Sequence, residues 1–179
     1  MKNNLPERKR NRLKEYDYSS CGVYFITICA RKRDNYFWSN AAFDSLKIVG
    51  AISDRPPIVY NPQDVVLSEC GMVVDEAINK ITSIYPAVSL EHYVIMPDHI
   101  HLLLMVCSEE DGRSVIAPTM SQVVKHLKGT VTKQLGESVW QKSFYDHVIR
   151  NKTDYDKHVK YIYENPMNWQ FDYNKTGDQ

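Results

Sequence analysis

The run from His92 to Val106, HYVIMPDHIHLLLMV, leaves little freedom in local structure. Two apolar stretches, Tyr93–Met96 and Ile100–Val106, flank the breaker pair Pro97-Asp98, which is the pattern of a β-hairpin. Residues two apart on a strand share a face. His99 and His101 therefore leave one face of the second strand side by side, at the rim of an apolar sheet. Paired imidazoles in that disposition can offer two nitrogens to one metal ion.

The remaining elements fall around this hairpin. Val23–Ala30 is β-branched and aromatic, so it reads as a buried strand. Ser68 can cap a helix running to about Tyr85, with Val73, Val74, Ala77, Ile78, Ile81 and Ile84 on one side and Pro86 at its end. The hairpin strands are Val88–Met96 and His99–Cys107. Ser108–Pro118 is polar and is expected to be a loop. Thr119 opens a second helix to about Leu135, and Gly136 suits its stop. Phe144–Ile149, within Lys142–Arg150, is a fourth strand. Thr153 and Asp154 start a third helix, which Pro166 is expected to end. Residues 34–66 are broken by Pro56-Pro57 and Asn61-Pro62, with room for a short helix over Ala41–Ile52. The order is that of an α+β, ferredoxin-like β-α-β-β-α-β sandwich with an additional C-terminal helix. Its helices cover one sheet face, leaving the other for a ligand or for a homodimer.

The chain of 179 residues, 43% hydrophobic, suits a single domain over residues 16–169, with a basic arm at 1–15 and a polar tail at 170–179. Formal net charge is zero, yet residues 1–14 carry Lys2, Arg8, Lys9, Arg10, Arg12 and Lys14 against Glu7, a net of +5. A basic arm on a mildly acidic body points to an anionic partner such as nucleic acid. Cysteines 21, 29, 70 and 107 are scattered without a Cys-x-x-Cys, which suits free thiols in a reducing compartment. No apolar run approaches the roughly 18 residues of a membrane span. The expected location is the cytoplasm, without a membrane partner.

The last helix carries His158-Val-Lys-Tyr-Ile-Tyr-Glu-Asn-Pro166. Tyr161 and Asn165 are four apart and lie on one helix face. Tyr163 points roughly 200° away from Tyr161, at about 100° per residue, and Tyr155 also misses that face. If one tyrosine is chemical, spacing favours Tyr161, with the Asn165 carboxamide oxygen able to complete a metal shell.

Three motifs in this order, Met96-Pro-Asp-His-Ile-His101, Trp140-Gln-Lys-Ser-Phe-Tyr-Asp-His-Val-Ile-Arg150 and Tyr161-Ile-Tyr-Glu-Asn-Pro166, resemble those of the REP-associated tyrosine transposases. These are single-tyrosine HUH nucleases, close to the transposases of the smallest insertion sequences. Tyr16-Asp-Tyr-Ser and the following strand resemble the family's N-terminal entry, so the likeness spans about Tyr16 to Trp169. It implies a single-stranded DNA substrate in the form of hairpins with short single-stranded flanks. It further implies a metal held by His99, His101 and Asn165, with Tyr161 as nucleophile forming a 5′-phosphotyrosine. Some relatives place Gln at the third ligand position. The ion implied is Mg or Mn, whereas imidazole chemistry alone favours Zn or Mn over Mg. Arg8, Lys9, Arg10, Arg12, Arg31, Lys32, Arg33, Lys125, Lys128 and Arg150 are candidates for phosphate contacts. His147 is read as a structural histidine; His158, one turn before Tyr161, can approach the site, with a surface position the preferred reading.

Two other readings compete. Histidine-triad nucleotide hydrolases need a third alternate histidine, and Leu103 stands there instead. A DNA-binding regulator with the same fold but no catalysis has no need of His99, His101, Tyr161 and Asn165 together.

Overall fold

Apolar alternation and strong capping residues set the element order. A computed structural model describes residues 21–31, 35–39, 66–107, 109–110, 113–114 and 117–176. The basic arm and the helix expected over Ala41–Ile52 lie outside these residues. In chain order the elements are β1 (Gly22–Cys29), α1 (Glu69–Asn79), α2 (Ile81–Ile84), β2 (Val88–Ile95), β3 (His99–Val106), β4 (Glu109–Glu110), β5 (Arg113–Ser114), α3 (Met120–Leu135), β6 (Tyr145–Ile149) and α4 (Lys152–Thr176).

The main sheet has the order β2-β3-β1-β6, with every neighbouring pair antiparallel. This is the ferredoxin-like arrangement expected from the sequence. Tyr24, Ile26 and Ile28 pair with Leu104, Leu102 and Ile100, and all six are fully buried. They form one core with Val74 and Ile78 of α1 and with Val123 and Leu127 of α3. Each such side chain contributes about 1.5–3 kcal/mol of burial energy. Tyr93 joins this face to α1 by donating its hydroxyl to Asp75 Oδ1 at 2.8 Å.

Local signals explain the helix ends. The Ser68 hydroxyl accepts from the Gly71 N–H at 3.0 Å and donates to the Tyr36 carbonyl at 2.6 Å. Gly71 is required by close approach, because a Cβ there would sit 2.1 Å from the Phe37 carbonyl oxygen. Thr119 and Gln122 form a capping box at the start of α3, and Gly136 ends it with φ 76°.

The structure corrects three expectations. The helix capped by Ser68 does not run unbroken to Tyr85. Lys80 separates α1 from the single turn α2, closing one helix and opening the next. The polar segment after β3 holds the small antiparallel pair β4–β5. Helix α4 also passes through Pro166 to Thr176. Proline removes one hydrogen bond from the ladder, but Ile162, Asn165 and Pro166 are all buried, so packing of this face outweighs local propensity. None of the described helices is long and apolar enough to cross a membrane.

Because α1 and α3 occupy one sheet face, the opposite face is free to receive α4. Phe25 of β1 meets His158 and Tyr161 of α4 at ring separations of 4.6 and 6.0 Å. At the other flank, His92 Nδ1 lies 3.2 Å from the Tyr163 hydroxyl.

Candidate active site

The cross-strand register builds the site's floor. Thr27 pairs with His101 and Cys29 with His99, so these side chains share the α4 side of the sheet. The hairpin turn before His99 is pinned from outside. The Pro97 carbonyl accepts from the Tyr36 and Phe37 N–H groups, and the Asp98 carbonyl accepts from the Ala30 N–H at 2.8 Å. The start of β3 is thus held by backbone bonds to two separate segments.

His99 and His101 face each other through their Nε2 atoms, 3.0 Å apart. Each Nδ1 has its own oxygen partner: the Asp98 carboxylate accepts from His99 Nδ1–H at 2.6 Å, and the Thr27 hydroxyl lies 2.8 Å from His101 Nδ1. The Asp98 contact directs the His99 Nε2 lone pair toward its neighbour. Two nitrogens so close repel unless a proton or a cation lies between them. His101 is only 4% exposed and stacks on Phe25 at 5.0 Å. Burial first, then the neighbouring His99, push its pKa down to about 3, so it is a neutral imidazole at physiological pH. A neutral imidazole is the ligand form.

Tyr161 comes to the pair edge-on, with its ring centroid 5.2 Å from that of His101. The other two tyrosines considered for the role are engaged elsewhere. Tyr163 reaches His92, and the Tyr155 hydroxyl donates to Glu91 Oε2 at 3.5 Å. Asn165, one turn beyond Tyr161, is 9% exposed, and its buried amide nitrogen has no hydrogen-bond partner among the described residues. An orphaned buried polar atom calls for a missing partner, and the nitrogen and oxygen ends of a carboxamide exchange by a simple flip. The chemistry of these side chains suits a metal: two oriented imidazoles with opposed nitrogens and, one turn beyond Tyr161, an unsatisfied amide.

A cleft of about 410 Å³ opens beside Tyr161, with His101, Thr27 and Phe25 on the sheet side and Lys157, His158 and Lys160 on the helix side. His158, expected at the surface, is instead partly buried against Phe25 and lines this cleft. Its position three residues before Tyr161 is a legible signal. Lys157 and Lys160, not singled out in the sequence, also line the cleft, although they lie within one turn of Tyr161 in sequence. Thr27 carried no signal at all, since only the strand register joins it to His101.

The candidate phosphate contacts divide. Arg31, Lys125 and Arg150 are exposed. Lys128 is committed to structure, donating to the carbonyls of Gln141 and Ser143 at 2.9 Å each, and burial lowers its pKa. Arg8, Lys9, Arg10, Arg12, Lys32 and Arg33 lie outside the described residues. His147, expected to be structural, is 46% exposed along its side chain and lies 2.9 Å from Asp154 Oδ2.

No family model matches the sequence. The chain is 27% identical over 187 residues to an uncharacterized protein of Haemophilus influenzae, covering 94% of this chain and 93% of that protein. It is 33% identical over 76 residues to the REP-associated tyrosine transposase of Escherichia coli, an alignment spanning 42% of each chain. Among solved structures, one of a REP-associated tyrosine transposase bound to a REP hairpin aligns with a TM-score of 0.57 at 23% identity. That alignment covers 88% of this chain and 74% of the other, and it bears out the fold.

Proposed function

From the chain's relatedness to the REP-associated tyrosine transposases, we propose that it is a metal-dependent nuclease and strand transferase acting on single-stranded DNA. The observation that carries this reading is the ring contact of one tyrosine, Tyr161, with His101, whose Nε2 opposes that of His99.

In this reading Tyr161 attacks a backbone phosphorus in line, forming a 5′-phosphotyrosine and releasing a 3′-hydroxyl. A free tyrosine has a pKa near 10 and is a weak nucleophile, so the site must lower the barrier at phosphorus. A divalent ion, Mg or Mn, held by His99, His101 and Asn165 would polarise the phosphate and offset its growing charge. Asp98 and Thr27 keep the two imidazoles oriented. Lys157 and Lys160 line the cleft and offer cations to the strand, although Lys160 lies 3.6 Å from Glu164, an anion that lines the same cleft. Phe25 floors the pocket and excludes water beneath the reacting groups. The phosphotyrosine conserves the energy of the broken phosphodiester, so a 3′-hydroxyl can later reseal or transfer the strand.

The substrate proposed is a DNA hairpin with a short single-stranded flank, the kind of ligand named for the solved transposase complex. The basic arm adds phosphate contacts. Deleting residues 2–14 should weaken hairpin binding and make its salt dependence shallower, because fewer counterions are released. The deciding experiment incubates purified protein with hairpin oligonucleotides and Mg or Mn, then maps any covalent adduct by mass spectrometry. An adduct on Tyr161 supports the reading. Tight binding without any adduct would instead indicate a regulator that keeps the fold and lacks catalysis.

A further inference from the structure

A second group of side chains, separate from the opposed imidazoles, has the composition of a metal site. His147 comes from β6, Asp154 from the first turn of α4 and His158 from the next turn. One ligand atom from each lies within 4.8 Å of the other two. The Asp154 carboxylate faces both rings, with Oδ2 2.9 Å from His147 Nε2 and Oδ1 3.3 Å from His158 Nδ1. The imidazoles themselves lie nearly parallel, with centroids 4.8 Å apart.

We infer that His147, Asp154 and His158 form a second divalent-cation site, selective for a first-row transition ion such as Zn²⁺. Donors bonded to one tetrahedral ion at about 2.0–2.1 Å are about 3.4 Å apart. Ligand atoms within 4.8 Å of one another therefore close by up to about 1.4 Å, and the half-exposed His147 ring can turn to do so. Two imidazoles and one carboxylate favour Zn, Mn, Fe or Co over Mg or Ca. Asp154 is already held below the usual carboxylate range, first by its bond to His147, so it is anionic and able to ligate. Partial shielding of Asp154 and His158 leaves one open side, toward solvent.

Such an ion would join β6 to α4 immediately before Tyr161. It would fix the helix that carries the proposed nucleophile without touching the reacting phosphate. The inference stands whether or not His99 and His101 bind metal.

The test is Co²⁺ titration of the full chain, followed by visible absorbance and by metal content after gel filtration. In His99→Ala/His101→Ala protein, one equivalent of Co²⁺ should still bind, be displaced by Zn²⁺ and resist millimolar Mg²⁺. Adding His147→Gln, a change at an exposed position, should abolish that equivalent while the circular dichroism spectrum stays native. Zn²⁺ should raise the melting temperature of the double variant but not of the triple one. If the double variant does not fold, His147→Gln alone should remove one equivalent relative to the unaltered chain. If the opposed imidazoles bind no metal, the unaltered chain binds a single equivalent, and His147→Gln removes it. Natively folded protein whose Co²⁺ stoichiometry is unchanged by His147→Gln would overturn the inference, leaving the three side chains as a hydrogen-bonded clamp.

Discussion

The two halves of the candidate site are held in opposite ways. His101 is 4% exposed, stacked on Phe25, bonded to Thr27 and carried by a central strand. Tyr161 is 46% exposed and sits on the flank of a helix, beside an open cleft. The difference matches the two tasks proposed for them. Groups that orient a cation must not wander, and a rigid sheet with oriented outer partners prevents that. A nucleophile that meets a polymer must be reachable from solvent. Precision is therefore concentrated in the sheet and access in the helix.

Substitutions can break or sharpen this contrast. The largest effect is expected from Tyr161→Phe, which should lower cleavage and adduct formation by about 10³-fold or more while stability and hairpin binding are kept. Loss of folding, or an adduct moving to Tyr155 or Tyr163, would remove the distinction between the halves. His101→Ala should reduce metal-supported cleavage by more than about 100-fold and also cost roughly 1–3 kcal/mol in denaturant unfolding. His99→Ala should match it in cleavage but stay within about 1 kcal/mol in stability, being less buried. Equal stability losses for the two would mean that burial does not separate them.

A smaller effect tests the outer partner. Thr27→Val keeps shape and removes only the hydroxyl, so metal affinity measured by calorimetry should fall about 10–100-fold with little change in melting. Tyr163→Phe is the smallest change. It removes one exposed hydrogen bond to His92, so cleavage should change by less than about fivefold, the equivalent of 1 kcal/mol. A large loss there would make the helix flank as exacting as the sheet.

Much of this was legible in the sequence, and the reasons are local. The hairpin follows from apolar runs around Pro97-Asp98, and α3 from Thr119, Gln122 and Gly136. That Tyr161, and not Tyr155 or Tyr163, shares a helix face with Asn165 needed only helical geometry. What escaped depended on contacts distant along the chain. Thr27 meets His101 across 74 residues. His158 is drawn inward by Phe25, and Pro166 is tolerated because its neighbours are buried. Lys128 looked like a free cation because its carbonyl partners belong to a different segment.

Strand β2 pairs with β3 out of simple step, because the register shifts between Leu90 and His92. Glu91 is the extra residue, and a sheet sorts side chains by odd and even position. Upstream of the irregularity Val88 and Leu90 pair with Val106 and Leu104; downstream, Tyr93 and Ile95 pair with Leu102 and Ile100. All these apolar residues can face the same core only because the count changes parity between them. Glu91 is therefore the spacer that the irregularity absorbs: without it Leu90 and Tyr93 would stand two apart, and the strand would run in regular step with its core side chains still on one face. Homologous sequences that lack a residue here should therefore carry a lone gap, with no compensating insertion elsewhere in the same strand.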